Sequence, residues 1–367
     1  MSSTLRRRPD PIGPAHVNAT YAPTSAESAG GSETPSPHTR RTCHRGPVVT
    51  AAGVRIGWSD VPEHVQLEIA RIVGVPIVKT ESQVGGFSPG AAERLVGTDG
   101  RRAFVKAANS SLNEFTPDIY RREIAITAGL PLTAPATTLL GSFDDGDWVA
   151  LVLADVEGRH PVTPWEPGEV AAVLETLQRL ADELTPVPDG LVVPRTEDEL
   201  RDDFAGFDNF VTAPWDELPQ IAVDHLDELR ALAIRGVDAC HGESLVHLDV
   251  RADNMLVRPD GSVVLVDWPW ACRGAAWIDS IALLVNVGLY GGHDIEALMA
   301  TSPVLRAADS ETVTAFLAGL AAYFLDSARQ PAPVGLPTVR AFQLAQGQVV
   351  LGWLTRRLGW AAEAPAR

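Results

Sequence analysis

The sequence has few cysteines and no long apolar run. Three cysteines, Cys43, Cys240 and Cys272, lie far apart along 367 residues and lack the close spacing of a zinc site or disulfide framework. No apolar stretch approaches the roughly 20 residues that a membrane span requires. We therefore expect a cytoplasmic protein, soluble and without a membrane partner.

Positive charge is also scarce. The chain carries 30 Lys and Arg against 47 Asp and Glu, a formal net charge of -17. Nucleic-acid binding needs a basic face, so this balance argues against such a partner. It permits a cationic small-molecule substrate. The arginines at 6–8 are followed by Pro9 and Asp10 instead of an apolar segment, which argues against export.

The length suits two lobes and a tail. Residues 1–50 are rich in Ser, Pro, Thr, Gly and Arg without apolar periodicity, and we predict a disordered tail. Residues 51–156 are expected to form a nucleotide-binding N-lobe, and residues 157–367 a helical C-lobe with the catalytic loop and acceptor site. The pattern does not specify an oligomeric state.

The N-terminal half reads mainly as strands. Segments 94–97 and 102–106 flank a Thr-Asp-Gly turn and predict a hairpin. Upstream, residues 84–90 form a glycine-rich loop around Gly86, in which backbone amides can approach phosphates closely. Glycine clusters also mark ordinary turns, so both interpretations stay open for Gly86.

Lys106 and Glu123 form a candidate ion pair. Lys106 projects from the second strand of the hairpin, and Thr116 and Pro117 predict the N-cap and first turn of the next helix. One face of this helix carries Ile119, Glu123, Ile126 and Leu130. A carboxylate on an apolar stripe favours a cationic partner, and Lys106 is the candidate. The alternative is a solvated Glu123 at the edge of the stripe.

The most informative motif lies at residues 246–267. His247, Asp249 and Asn254 have the H-x-D-x-x-x-x-N spacing of a kinase catalytic loop. Asp249 can accept a proton from an attacking hydroxyl, and Asn254 and Asp267 offer oxygen ligands to a hard cation. Two β-branched segments around a Pro-Asp-Gly turn predict a hairpin that brings Asn254 and Asp267 together. Taken singly, these residues also suit caps, turns or a core histidine.

The C-terminal half reads as helices. An apolar strand at 148–153 is followed by a polar connector at 154–158. Amphipathic patterns then predict helices at 169–184, 224–240, 311–327 and 339–358. We therefore predict an α+β fold with a β-rich N-lobe, a helical C-lobe and a cleft between them.

These residues resemble the aminoglycoside phosphotransferase-like family, small-molecule kinases that share the protein-kinase fold. The resemblance covers residues 75–360, and its specific motifs lie at 246–280. It implies that Asp249 is the catalytic base and that Asn254 and Asp267 are ligands of Mg²⁺. It also implies that Lys106 binds the phosphates of ATP, with Glu123 as its partner.

The resemblance extends to neighbouring positions. Asp279 matches an aspartate that supports the catalytic loop, and the connector from Leu153 to Val156 is expected to offer backbone hydrogen bonds to a purine. Arg251 is placed to reach the transferring phosphate, although a solvent-facing arginine fits its position equally. Leu248 departs from the glycine that is usual before the catalytic aspartate.

The expected function is transfer of the γ-phosphate of ATP to a hydroxyl of a small molecule such as an aminoglycoside. A protein kinase needs a long activation segment, whereas only residues 268–278 separate Asp267 from Asp279. The other alternative is a catalytically silent nucleotide-binding module. Such a module predicts loss of Lys106, Asp249 or a metal ligand, and these residues are present.

Two sets of residues are candidates for the acceptor site. One is acidic and the other aromatic; they comprise Glu197, Asp198, Glu199, Asp202, Asp203, Asp208, Asp224, Asp227 and Glu228, and Trp268, Trp270 and Trp277. The acidic side chains suit a polycationic sugar, or else form solvated helix faces. The tryptophans suit stacking on an acceptor, or else pack in the core.

Overall fold

The computed structural model describes residues 55–83 and 89–360. The predicted tail at 1–50 and the glycine-loop residue Gly86 lie outside the described residues. The N-lobe consists of α1 (Glu63–Val73), β1 (Ile77–Ser82), β2 (Ala91–Gly97), β3 (Arg102–Asn109), α2 (Thr116–Gly129), β4 (Leu139–Asp144) and β5 (Trp148–Ala154). Its strands form one antiparallel sheet in the order β1-β2-β3-β5-β4.

The predicted hairpin is present as β2 and β3, with Arg94 opposite Phe104. Strand β3 is central in the sheet, and its side chains alternate between the two faces. Val105 packs with α1 on one face, whereas Lys106 projects to the other, where α2 lies. The strand therefore fixes the direction of Lys106.

Helix α1 is an element that the strand-like interpretation of this region missed. Val65, Ile69 and Val73 follow one another at four-residue spacing, and all three are buried against the sheet. Gly74 ends the helix with a φ of 87°, a conformation that glycine adopts without steric cost. The helical period was therefore present in the sequence.

Helix α2 begins close to the predicted position, but Thr116 is not its N-cap. Phe115 occupies the cap position. The side chain of Asn113 supplies the missing acceptor, since its Oδ1 accepts from the backbone N–H of Thr116 at 3.1 Å. Pro117 lies in the first turn, as predicted. Glu123 is buried on the helix face towards the sheet.

The C-lobe is mainly helical. Its elements are α3 (Pro167–Glu183), α4 (Thr196–Phe204), α5 (Gly206–Thr212), α6 (Gln220–Asp224), α7 (Leu226–Ala239), β6 (Ser244–Val246), β7 (Met255–Val257), β8 (Val263–Leu265), β9 (Cys272–Gly274), α8 (Ile278–Tyr290), α9 (Ile295–Met299), α10 (Pro303–Ala307), α11 (Ser310–Ala328) and α12 (Val339–Leu358). The four predicted helices correspond to α3, α7, α11 and α12. The α+β fold with a β-rich N-lobe and a helical C-lobe is confirmed.

Helix α11 is the centre of the C-lobe core, with α7 and α12 packed against it. Close approach requires small residues: a Cβ atom at Gly236 would lie 2.5 Å from the carbonyl oxygen of Ala315. Phe204 and Phe316 meet edge to face in the same core, with ring centroids 5.7 Å apart. This packing holds α11 and α12 beside the catalytic loop.

None of the helices within 55–83 and 89–360 combines the length and the hydropathy of a membrane-crossing segment.

Candidate active site

The hairpin of β7 and β8 brings the two ends of the central motif together. Met255 pairs with Leu265, and the backbone N–H of Val266 donates to the carbonyl of Asn254 at 2.9 Å. Asp267 then turns the chain with a φ of 68°, a left-handed conformation that aspartate tolerates better than most residues. Asn254 and Asp267 therefore meet at one end of the hairpin, as the sequence predicts.

His247 joins this hairpin to the catalytic loop. The ring is fully buried; its Nε2 lies 2.9 Å from the carbonyl oxygen of Val266, and its Nδ1 accepts from the backbone N–H of Asp249. Burial lowers the pKa of His247 to about 4, so the ring stays neutral and Nε2 carries the proton. The histidine is a positioning residue.

Asp279 supports the loop from the first turn of α8. Its carboxylate oxygens accept from the backbone N–H of His247 at 2.8 Å and of Leu248 at 2.9 Å. Leu248 has a φ of 65°, in the left-handed region that costs a residue with a Cβ atom about 1–2 kcal/mol. Glycine avoids this cost, so the leucine side chain is held there against a backbone preference.

Asp249 is held from two sides. Asn254 Nδ2 donates to Oδ2 of Asp249 at 2.8 Å, and Arg251 Nη1 donates to Oδ1. Burial raises the pKa of Asp249 to about 7, although the positive charge of Arg251 opposes the shift. A carboxylate with a pKa near neutrality can both accept and release a proton at physiological pH.

Arg251 is buried, with 3% of its surface exposed, so the alternative of a solvent-facing arginine is wrong. Its guanidinium also contacts Asp253, with Nε 3.1 Å from Oδ1 and Nη2 3.0 Å from Oδ2. The two carboxylates offset the cost of burying this charge. The positive charge of Arg251 therefore lies beside Asp249 at the centre of the site.

Lys106 connects the two lobes. Its Nζ lies 2.8 Å from both carboxylate oxygens of Glu123 and 2.8 Å from Oδ1 of Asp267. The side chain of Glu123 is 1% exposed, which excludes the alternative of a solvated glutamate. The sequence predicted the contact with Glu123 but not the contact with Asp267, which joins residues 161 positions apart.

The three side chains of this cluster, Lys106, Glu123 and Asp267, differ in the direction of their pKa shifts. Burial alone lowers the pKa of Lys106, but Asp267 and Glu123 outweigh it and raise the pKa above its ordinary value. Burial raises the pKa of Glu123 to about 7. Burial alone would also raise the pKa of Asp267, but the positive charge of Lys106 outweighs burial and lowers this pKa below its ordinary value. Asp267 is therefore an ionised carboxylate at neutral pH.

The donor set fits a magnesium ion shared with a nucleotide. Asn254 points its amide nitrogen at Asp249, which directs its amide oxygen elsewhere, and Asp267 supplies an ionised carboxylate. Within the described ranges, no group of three or more His, Cys, Asp or Glu side chains is arranged to hold a metal. Magnesium is usually bound by one or two carboxylates with phosphate oxygens and water, and these residues suit that mode.

The connector between the lobes is anchored at both ends. Asp155 contacts Arg94 of β2 at 2.7 Å and Arg102 of β3 at 2.7 Å. Arg94 also donates to the carbonyl of Val156 at 2.9 Å, and among residues 55–83 and 89–360 the N–H of Val156 has no hydrogen-bond acceptor. On the other side, Arg159 and Val257 exchange backbone hydrogen bonds of 2.7 and 3.0 Å.

A cavity opens beside Asp249 and Arg251, with about 770 Å³ of space that includes its opening to solvent. Of the acidic candidates, Glu199 and Asp203 line it. Others lie in surface ion pairs, such as Asp208 with Arg230 at 2.6 Å. These pairs match the interpretation of solvated helix faces.

The three candidate tryptophans also fall into two groups, one at the cavity and two in the core. Trp270 lines the cavity, with the guanidinium carbon of Arg122 5.5 Å from its ring centroid. Trp268 is 1% exposed and Trp277 is 8% exposed, and both pack in the core. One of the three candidates therefore borders the cavity.

The sequence reasoning missed the cavity residues of α11 and α12. Tyr323, Phe324 and Gln346 lie about seventy or more residues beyond the catalytic loop, yet they border the same space as Asp249. Their spacing shows only that they lie on inward helix faces. No local motif identifies them, because tertiary packing brings them to the site.

The fold and the site together define a class, the protein-kinase-like phosphotransferases. The fold has two lobes, and the site combines Lys106, Asp249, Asn254 and Asp267. The model of the phosphotransferase enzyme family matches residues 86–334, and the chain belongs to this family. The family assignment confirms the predicted small-molecule kinase. A search of curated proteins finds no match.

Solved structures share the fold at low sequence identity. A choline kinase from Streptococcus pneumoniae has 13% identity and a TM-score of 0.55, over 80% of this chain and 98% of that chain. A thermostable mutant of the aminoglycoside phosphotransferase APH(4)-Ia, in complex with ADP and hygromycin B, has 14% identity and a TM-score of 0.53, over 81% and 99%. The GDP and kanamycin complex of APH(2")-IIia has 14% identity and a TM-score of 0.54, over 81% and 99%.

Proposed function

We propose that the protein transfers the γ-phosphate of ATP to a hydroxyl of a small molecule, with Mg²⁺ as cofactor. The observation that carries this proposal is the convergence of Lys106, Asp267, Asn254 and Asp249 beside the cavity. Such reactions depend on positioning and on charge stabilisation, and these residues supply both.

Each residue has a role that its contacts support. Asp249 accepts the proton of the acceptor hydroxyl, because its carboxylate borders the cavity and its pKa of about 7 lets it act near neutral pH. Arg251, in contact with Asp249, offsets negative charge on the phosphate being transferred. Lys106 binds phosphate oxygens, and Glu123 holds Lys106 in place.

The nucleotide is expected between the lobes. The N–H of Val156 is available to a purine ring, and Gly86 belongs to the segment proposed to cover the phosphates. When bound, Mg²⁺ would neutralise phosphate charge, with Asn254 and Asp267 as its protein ligands. The complexes of related folds with ADP and GDP support a nucleotide at this cleft.

A phosphoryl-transfer assay tests the proposal. Purified protein with ATP and Mg²⁺ is screened against aminoglycosides, macrolides, amino alcohols and sugars, with Asp249→Asn in parallel. The expected result is acceptor-dependent ADP release that Asp249→Asn lowers by about 10²–10⁴. Magnesium-dependent ATP binding without transfer to any acceptor would instead favour the alternative, a catalytically silent nucleotide-binding module.

We also propose a cytoplasmic location and no nucleic-acid or membrane partner. The net charge of -17 disfavours phosphate backbones. Cys240 and Cys272 are free thiols, which suits a reducing compartment. Fractionation of cells that express the full chain tests this location, with a membrane-bound protein as the reference.

A further inference from the structure

The cavity beside Asp249 is walled mainly by hydrocarbon. The catalytic loop and helices α8 and α11 contribute apolar side chains to the cavity wall, namely Leu248, Val250, Val285, Leu320 and Phe324. Apolar walls favour a ligand that removes its own apolar surface from water. They give little compensation to a ligand whose surface is covered with charged groups.

Leu248 adds to this apolar wall at a cost in backbone conformation. The residue has a φ of 65°, which a glycine would adopt without steric conflict. Its side chain is partly buried, packs against the C-lobe core and lines the cavity. Because strained positions concentrate at functional sites, the retained leucine side chain points to a contact with the ligand.

The negative charge of the cavity is largely neutralised by the protein. Asp249 is paired with Arg251, and Glu199 lies 3.5 Å from a guanidinium nitrogen of Arg122. Asp203, also on α4, is the other acidic residue of the lining. A ligand with several ammonium groups needs several carboxylates to offset its loss of water, and two of the three in this wall already face arginines.

Gln346 is a polar feature within this wall. The residue is 3% exposed, and its Oε1 has no hydrogen-bond partner among residues 55–83 and 89–360. Buried polar atoms nearly always have a partner, so a ligand donor that reaches the side chain of Gln346 from the cavity would pair this acceptor. A hydroxyl or an N–H group meets that requirement.

We propose that the acceptor is a largely apolar alcohol with one donor group for Gln346 and at most one ammonium group, and not a polycationic aminosugar. The inference rests on the proposed function, because it assigns the cavity beside Asp249 to the acceptor. Leu248 is then a specificity-determining residue: its side chain occupies space that glycine would leave open.

Binding and transfer are measured separately on the full chain. Chloramphenicol and erythromycin are the apolar probes, and kanamycin is the polycationic probe. Calorimetry with Mg²⁺ and a non-hydrolysable ATP analogue reports binding, and ADP release with ATP reports transfer. We expect an apolar probe to bind with a negative heat-capacity change, which marks burial of apolar surface, and kanamycin not to bind.

Leu248→Gly tests the cavity wall. Loss of a leucine contact should raise the KM for the apolar acceptor about tenfold or more, with the KM for ATP unchanged. The variant relieves the backbone strain, so unfolding is not expected to obscure the result. Leu132→Gly is the control, because Leu132 is 86% exposed and lies outside the cavity. An unchanged KM in Leu248→Gly would contradict the role of Leu248.

The outcomes separate the two proposals. Binding of an apolar probe with no transfer to any acceptor of the panel, beside intact ATP binding, would support the ligand class and refute the kinase function. Transfer to kanamycin with a higher kcat/KM than to either apolar probe would overturn the ligand class and leave the function standing. Failure of both apolar probes to bind at millimolar concentration, with ATP bound, would also overturn it.

Discussion

The guanidinium of Arg251 lies against the carboxylate of Asp249, and both side chains are almost fully buried. One residue separates them in the sequence. The pair leaves the proposed base beside a fixed positive charge. The ionisation of Asp249 therefore depends on Arg251, and this dependence can be measured.

The activity is expected to fall as the pH drops below about 7. Burial raises the pKa of Asp249 to about 7, and a protonated carboxyl group cannot accept the proton of the acceptor. Arg251 lowers this pKa, so Arg251→Ala should raise it and move the acid limb of kcat/KM to higher pH. The pH profile of kcat/KM at subsaturating nucleotide measures the shift.

Arg251→Lys is the matched control for this profile. Lysine retains the positive charge, so the acid limb should stay near that of the wild type even where kcat falls. An acid limb at the same pH in Arg251→Ala and the wild type would show that Arg251 does not control the base.

Asp249→Asn should lower kcat by about 10²–10⁴ because the amide cannot accept a proton. Nucleotide affinity should stay near that of the wild type, since Lys106 and Asp267 are unchanged. Steady-state kinetics and calorimetry with an ATP analogue measure the two quantities. Asp227→Asn is the control, because the Asp227 side chain is 96% exposed. Wild-type turnover in Asp249→Asn would exclude Asp249 as the base.

Lys106→Met should lower the free energy of unfolding by about 3–5 kcal/mol, because it leaves Glu123 buried without its partner. The double variant Lys106→Met/Glu123→Leu should recover the part of the loss that is due to Glu123, whereas the half-buried Asp267, which also contacts Lys106, keeps its charge. Lys79→Met is the control: its side chain is 69% exposed, and little change is expected. Denaturant unfolding measures all three. If the double variant is no more stable than Lys106→Met, the unpaired charge of Glu123 is not the cause of the lost stability.

Asp279→Ala should lower kcat while it leaves nucleotide affinity nearly unchanged. It removes the acceptor of two backbone N–H groups, a loss of about 1–3 kcal/mol for each buried donor left unpaired. Asp279→Asn keeps one acceptor oxygen and should be milder. Kinetics and ATP binding are compared across the two variants. A loss of ATP affinity as large as the loss of kcat would instead indicate general damage to the fold.

The elements near the active site could be predicted because their signals are local. The turn sequences between β2 and β3 and between β7 and β8 indicate hairpins, and the hairpins fix where Lys106 and Asn254 lie. The apolar stripe of α2 likewise placed Glu123 inward. In each case a short segment carries both the signal and the geometry.

Other features depend on contacts between distant segments. The bond from Lys106 to Asp267 joins residues 161 positions apart, and no pattern in either segment encodes it. Gln346 reaches the cavity through the packing of α12 on α11. Asn113, whose side chain accepts from the first turn of α2, was a local signal that the assignment of Thr116 as N-cap overlooked.

The anchored connector fixes the position of the backbone at Val156. Asp155 and Val156 are tied to the N-lobe by Arg94, and Arg159 is tied to β7 of the C-lobe. Residues 157–158 lie between these two anchors, and a Cβ atom at Gly158 would lie 2.9 Å from the carbonyl oxygen of Val257. The backbone proposed to face the purine is therefore fixed to the N-lobe, and a nucleotide bound to it would share the orientation of that lobe.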